Sequence, residues 1–321
     1  MKLLKLVPDH TNIHFLKWRV PFYIGSLLLI AASWGLVMTR GLNLGVDFVG
    51  GQMVRVTFER SAEAPVGVLR DEVTKLGYGE PIIQRFGKPN EVSIRMKLPA
   101  GADKDPSLSD RMARTITTAV KASHADARID GVDSVSGKVS AELGVDAAWA
   151  LILAAIFVAA YIWVRFEWQF GVGALLSLVH DVSLTLGMFA LTQLEFDLNI
   201  VAALLTLIGY SLNDTIVVYD RIRENLKKYR KMPIPELLDL SVNETLARTI
   251  VTSLSMLITL VALLLLGPAV IFGFTAAITL GIFIGTYSSI YMAAPILIWL
   301  KVSSKSFVPG EADSPAKAER T

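Results

Sequence analysis

Long stretches almost without charge constrain this chain more than any other feature. Apolar runs at about 20–39, 147–164, 168–191 and 198–219 can each cross roughly 30 Å of hydrocarbon as a helix. A further uncharged tract, Thr249 to Leu300, is long enough for two crossings, with Gly267-Pro268 as the expected turn. Inside hydrocarbon a backbone satisfies its own polar groups only as helix or closed barrel. The reading is therefore an α-helical polytopic membrane protein of six transmembrane helices. Composition agrees, with 53% hydrophobic residues and a mean hydropathy of +0.50. A net charge of +2 leaves no general basic surface for nucleic acid. The absence of cysteine excludes disulfides, thiolate metal sites and cysteine nucleophiles.

Lys and Arg collect before the first run (Lys2, Lys5, Lys17, Arg19), after the fourth (Arg221 to Lys231) and after the last (Lys301, Lys305). The links at 192–199 and 267–270 carry none. By the positive-inside rule both termini are expected in the cytoplasm, with the first run an uncleaved signal anchor. Residues 1–40 then form the N-terminus and first span, and 41–144 a folded domain outside. Residues 145–302 hold spans two to six around a basic cytoplasmic loop at 220–247, and 303–321 a disordered tail. The outside segment reads as strand (46–59), helix (65–77), two strands, helix (107–124) and strand (127–137). That βαββαβ order predicts a small α+β, ferredoxin-like domain.

Within the fourth run, IGYSLNDTIVVYDRIRE (208–224) places Asn213 and Asp214 where lipid is expected. Asp214 lies about six residues, roughly 9 Å, inside the charged end, too deep for its short side chain to reach water. Tyr210, Ser211 and Asp214 share one helical face, and Gly209 leaves room for a close neighbour. In the fifth span Arg248, Thr252, Ser255 and Thr259 form a polar stripe, so an Asp214–Arg248 pair, broken on protonation, is expected. Span three carries Ser177, Asp181 and Thr185 on one face, where structural hydrogen bonding and proton handling both fit. His180 points about 100° away from Asp181 on a helix, so the two are not expected to pair. Span six has a small residue at every fourth position, Gly281 and Gly285 among them, suited to tight helix packing. No GxSxG, HExxH, P-loop or GxGxxG motif is present. The chain is read as neither an enzyme nor a binder of a cofactor or metal.

Five strings together resemble the SecF family, the smaller integral subunits of the SecD and SecF complex of bacterial protein export. They are GVDFVGG (45–51), HDV (180–182), the 208–224 string, VNETLARTIVTS (242–253) and GTYSSIYMAAP (285–295). VSGKVSAEL (135–143) departs from the family pattern, with Lys138 at the usual proline. The resemblance implies a six-span unit of the resistance-nodulation-division type in the bacterial inner membrane. Its implied partners are SecD, the SecYEG channel, YajC and YidC, with unfolded preprotein as substrate; anionic lipid at the basic segment is a further expectation. It also implies use of the proton motive force in translocation, with proton flow through Asp214 and Arg248. GVDFVGG, with Gly45, Asp47, Gly50 and Gly51, is expected to tie the outside domain to the spans. A proton-coupled exporter of small molecules or lipids, a passive translocon scaffold and an intramembrane protease are the competing readings.

Overall fold

The structure, a computed structural model, describes residues 11–98 and 106–303; the rest of the expected tail lies outside the described residues. Six helical rods are long and apolar enough to cross a membrane. They are α1 (Arg19–Arg40), entered through a 3-10 turn at Phe15–Trp18, and α5 (Gly137–Arg165), α6 (Trp168–Thr192), α7 (Leu198–Lys228) and α8 (Ile234–Leu266). The sixth rod is a 3-10 turn, α9 (Phe272–Ser288), a π-helical turn at Ser289–Ala293 and α10 (Ala294–Trp299). α8 ends at Gly267-Pro268, where proline can no longer donate to the preceding turn. The π turn sits just before Pro295, whose ring and missing N–H disrupt an α ladder, and a widened turn absorbs that misfit. The segment expected as a basic loop at 220–247 is mostly helix, with only 229–233 between α7 and α8.

The bundle has a centre and a rim. About half of the apolar window is buried in α6 (56%) and α7 (50%), against 6% in α5, 11% in α1 and 17% in α8. With lipid as solvent there is no hydrophobic drive between helices, so close approach at small residues decides the packing. A Cβ at Gly281 of α9 would run into the Leu207 side chain of α7, and one at Gly285 would meet Ser211 Cβ at 3.1 Å. Gly173 of α6 makes room for Tyr219, and Gly187 for Ser33 of α1.

Between α1 and α5 lies one small domain. It comprises β2 (Gly51–Phe58), α3 (Val66–Thr74), β3 (Ile82–Arg85), β4 (Glu91–Met96), α4 (Pro106–Ser123) and β5 (Ala127–Val135). The strands form an antiparallel sheet in the order β3-β4-β2-β5. Leu69 and Val73 of α3 and Met112, Ile116 and Val120 of α4 share a core with Val54, Val56, Phe58 and Ile94 of the sheet. The stretch 46–59 is not one strand: Val46–Val49 forms a helical turn, α2, and β2 starts only at Gly51. The cause is Gly50-Gly51, at φ +69° and +130°, angles that end an extended run and suit glycine alone. At the other end of the domain Ser136 Oγ caps α5 by accepting from Val139 N. Lys138 sits in that first turn, where a proline would also be tolerated.

The domain docks on the bundle through a seam. Two-residue strands β1 (Asn43–Leu44) and β6 (Glu195–Phe196) pair in parallel, and Gly45 N donates to Phe196 O at 2.8 Å. Buried Arg95 of β4 donates to Leu44 O, Asn43 Oδ1 and Gln84 Oε1, each at 2.7 Å, with Glu195 Oε1 3.9 Å away. Burial pushes the Glu195 and Asp197 carboxyls above the ordinary carboxylate range, opposed by Arg95 at Glu195 and by the Asn199 amide at Asp197. A carboxyl raised on docking holds its proton more tightly docked than free. The seam is therefore strongest below the ordinary carboxylate value and weakens as pH climbs through the raised one. Hydrogen exchange at 43–50 and 193–200, corrected for intrinsic rates, should show more protection at mildly acid than at neutral pH. Equal protection at both would contradict this.

Candidate functional site

α7 starts at the seam and ends beyond the site, so it carries both. Its first turn is capped twice: Asp197 Oδ1 accepts from Ile200 N at 3.1 Å, and Asp47 Oδ2 of the GVDFVGG string accepts from Leu198 N at 2.9 Å. Both carboxylates face the positive end of the helix dipole. Gly45 approaches Glu195 and Asp197 so closely that a Cβ there would lie 3.0 Å from Glu195 Oε1. Gly50 packs on the start of α5, where a Cβ would lie 3.1 Å from Gly137 Cα. GVDFVGG thus contacts two membrane helices directly.

About 24 Å further along α7, at 1.5 Å per residue, sits Asp214. It is buried, only 3% exposed, where α7, α8 and α9 meet. Among the described residues its Oδ2 has one hydrogen bond, from Ser253 Oγ of α8 at 3.5 Å, and Ser253 lies 2.8 Å from Thr286 Oγ1 of α9. A contact of 3.5 Å is at the weak limit of hydrogen bonding. Protonating Asp214 therefore forfeits little contact energy within this chain.

The expected pair with Arg248 is not made. Among the described residues no ion pair within 4.0 Å joins them: Arg248 is exposed on α8, near enough for its charge to act on Asp214 but not to bond it, and Ser253 makes the hydrogen bond to the carboxylate. The stripe expected with Arg248 also faces out, its hydroxyls donating back to carbonyls one turn earlier: Thr252 to Arg248 O, Thr259 to Ser255 O, and Ser255 to Val251 O. Asn213 is exposed too, and a Cβ at Gly209 would meet open space, so the close neighbour expected there is not found among the described residues. The tight contacts of α7 lie instead on its opposite side, at Gly281 and Gly285 of α9.

His180 and Asp181 do meet. Both are fully buried, and His180 Nδ1 lies 2.9 Å from Asp181 Oδ1. Adjacent Cβ atoms on a helix diverge by about 100°, but an imidazole is long enough to swing back to a neighbouring carboxylate. Sequence reasoning also missed Ser253, Thr286 and Ser288 as hydrogen-bond partners, and Asp47 and Asp197 as helix caps. Asp197 could have been found, since an aspartate directly before an apolar periodic run is an N-cap signal.

Fold and site together define a multi-spanning membrane subunit: six helices around buried carboxylates, with one small domain clamped to the helix that bears one of them. The family described as protein export membrane protein SecD/SecF, C-terminal, matches residues 107–303, and the SecD/SecF GG motif matches 35–62. The protein translocase subunit SecF of Rhodobacter capsulatus is 43% identical over 92% of this chain and 91% of its own length. That of Vibrio alginolyticus is 36% identical over 97% of both. The crystal structure of SecDF, a translocon-associated membrane protein from Thermus thermophilus, superposes with a TM-score of 0.81 at 34% identity; it covers 92% of this chain, which spans 40% of that longer one. SecDF in the super-membrane-facing form gives 0.59 at 33% identity over 91% of this chain and 39% of that one. This chain belongs to the SecD/SecF family of protein-export membrane proteins and is a SecF-type subunit of the Sec export machinery, multi-pass in the inner membrane.

Proposed function

We propose that this subunit works with a SecD partner to turn the proton motive force into late steps of polypeptide translocation. One observation carries the reading: a buried carboxylate with a single long hydrogen bond, Asp214, lies on the helix whose first turn is capped by Asp47 of the domain motif. One charge moved through 100 mV is worth about 2.3 kcal/mol, enough to bias a two-state equilibrium tens-fold. Proton uptake at Asp214 removes a buried charge where α7, α8 and α9 meet, at little cost in contacts, and so changes which arrangement of the three helices is favoured. The shift runs along α7 to the seam, where Asp47, Gly45, Gly50 and Gly51 pass it to the domain. The two SecDF forms, matched at TM-scores of 0.81 and 0.59 over nearly the same share of this chain, support more than one arrangement for such a unit.

In this reading both termini face the cytoplasm. The domain is periplasmic, its βαββαβ order and β3-β4-β2-β5 sheet supporting a ferredoxin-like fold. Arg248, Asn213 and Gly209 face the SecD partner, because polar groups inside a membrane rarely face lipid. SecYEG, YajC and YidC are the wider partners, unfolded preprotein the substrate, and anionic lipid the contact of the basic segment near Arg221 to Lys231. The subunit transports and is not itself an enzyme.

The test is a reconstituted complex with a SecD-type partner and the Sec channel in vesicles. A preprotein is carried part-way by ATP, and a proton gradient is then imposed. Completed translocation should rise with the gradient and fall back with an uncoupler. Equal yields with and without the gradient would leave the subunit a scaffold.

A further inference from the structure

The other buried carboxylate of the bundle has surroundings unlike those of Asp214. Asp181 Oδ2 accepts hydroxyl hydrogen bonds from Ser211 of α7 at 2.5 Å and from Ser288 of α9 at 2.9 Å, while Oδ1 faces His180 Nδ1 at 2.9 Å. One side chain of α6 therefore ties three helices. A carboxylate only accepts, so in that form His180 carries its hydrogen on Nδ1. Its Nε2 is then a bare lone pair, in a fully buried ring, with no hydrogen-bond partner among the described residues; Ser177 Oγ, one turn earlier on α6, is likewise buried without one.

Among the described residues no Lys or Arg lies within 4.0 Å of Asp181, and Arg248 of α8 is exposed. α6 itself has no other charged group. α7 brings Tyr210 and, one turn beyond Ser211, Asp214; α9 and the π turn bring only Tyr287 and Tyr291. Between its end arginines, Arg19 and Arg40, α1 has only Tyr23, and α5 has only Tyr161 between Asp146 and Arg165. An ionised carboxylate buried without a partner cation is costly by several kcal/mol, and the one base in contact with it is His180.

We infer that His180 and Asp181 form a second proton-binding site, separate from Asp214, whose proton count sets how firmly α7 and α9 are held on α6. The proton adds to the lone pair of His180 Nε2, forming one N–H bond and turning the pair into an imidazolium–carboxylate couple of no net charge. Before uptake Ser211 and Ser288 donate to a full carboxylate, and such charge-assisted bonds are roughly twice as strong as neutral ones. After uptake the imidazolium draws on the same charge, and both ties weaken. Asp214 lies on the same face of α7 as Ser211, one turn away, so the two sites act on one helix.

The experiment is solid-state NMR of ¹⁵N-histidine-labelled subunit, in complex with its SecD-type partner in lipid nanodiscs. His180 signals are assigned by His180→Gln and followed from about pH 5 to 9. Nε2 should change from a protonated to a bare ring nitrogen as pH rises. Asp181→Asn, which removes the anion, should move the change to lower pH. Should that variant fail to assemble, Ser288→Ala, which removes a donor to the ionised carboxylate, should move it to higher pH. In Asp214→Asn the change should persist, which separates this site from the gradient-driven reading above. An Nε2 that stays in one state throughout, or a transition unmoved by Asp181→Asn or Ser288→Ala, would overturn the inference.

Discussion

Replacing Asp214 by Asn should remove gradient-driven export while the complex still assembles. The amide has nearly the volume of the carboxylate and can keep the long contact with Ser253, so packing where α7, α8 and α9 meet is preserved. What it loses is the ability to bind and release a proton. If that exchange supplies a bias of about 2.3 kcal/mol per charge per 100 mV, the gradient-dependent part of export should fall by a factor on the order of ten or more. Co-purification with the SecD-type partner is the control. Ser253→Ala is the informative neighbour: its bond to Asp214 is 3.5 Å long, and its loss is worth about 1 kcal/mol at most. Export should survive that change. Normal export from Asp214→Asn would make Asp214 a packing residue, and the scaffold reading would replace the motor.

Gly51→Val should unfold the domain seam, because two independent constraints meet at one residue. Its φ of +130° is a region that a β-branched residue avoids, and a Cβ there would lie against the Met96 carbonyl oxygen of β4, backbone that cannot turn aside. Strain at such a position is about 1–3 kcal/mol before the collision is added. The expected loss is about 3 kcal/mol or more, seen as a lower thermal midpoint and poor accumulation in the membrane. Gly67→Ala makes the contrast. That glycine is the second residue of α3, at an ordinary φ with open space around it, and alanine there should stabilise by about 0.4–1 kcal/mol, chiefly by restricting the unfolded chain. Equal midpoints for Gly51→Val and the parent would mean that the motif's backbone is not held as described.

The contrast between the two glycines shows where sequence reasoning stops. Neither letter in the sequence states its backbone angle or its neighbours, and it is the φ of +130° and the Met96 carbonyl that set Gly51 apart from Gly67. The same limit applies in the bundle. Tracts without charge and the Gly267-Pro268 break were enough to count and bound six spans, because crossing a bilayer demands a length of apolar helix whatever its neighbours are. The alternation of apolar runs also carried the βαββαβ order, since strand and helix periods differ. Periodicity likewise put Ser211 and Asp214 on one face of α7, and both are buried.

Which helix that face meets is another matter. The polar stripe of α8 suggested Arg248 as the partner of Asp214, but α8 is turned so that Ser253 faces inward and Arg248 outward. Gly209 offered a close approach that α9 makes elsewhere, at Gly281 and Gly285. The His180–Asp181 contact depends on a rotamer, and the Asp47 cap on Leu198 joins residues 151 apart in sequence. The sequence by itself determined how many helices cross, where they break and which faces are polar, because those follow from local periods and the bilayer's thickness. The tertiary structure alone decided which polar face meets which, because helix rotation and side-chain direction are set by close packing among all six helices at once.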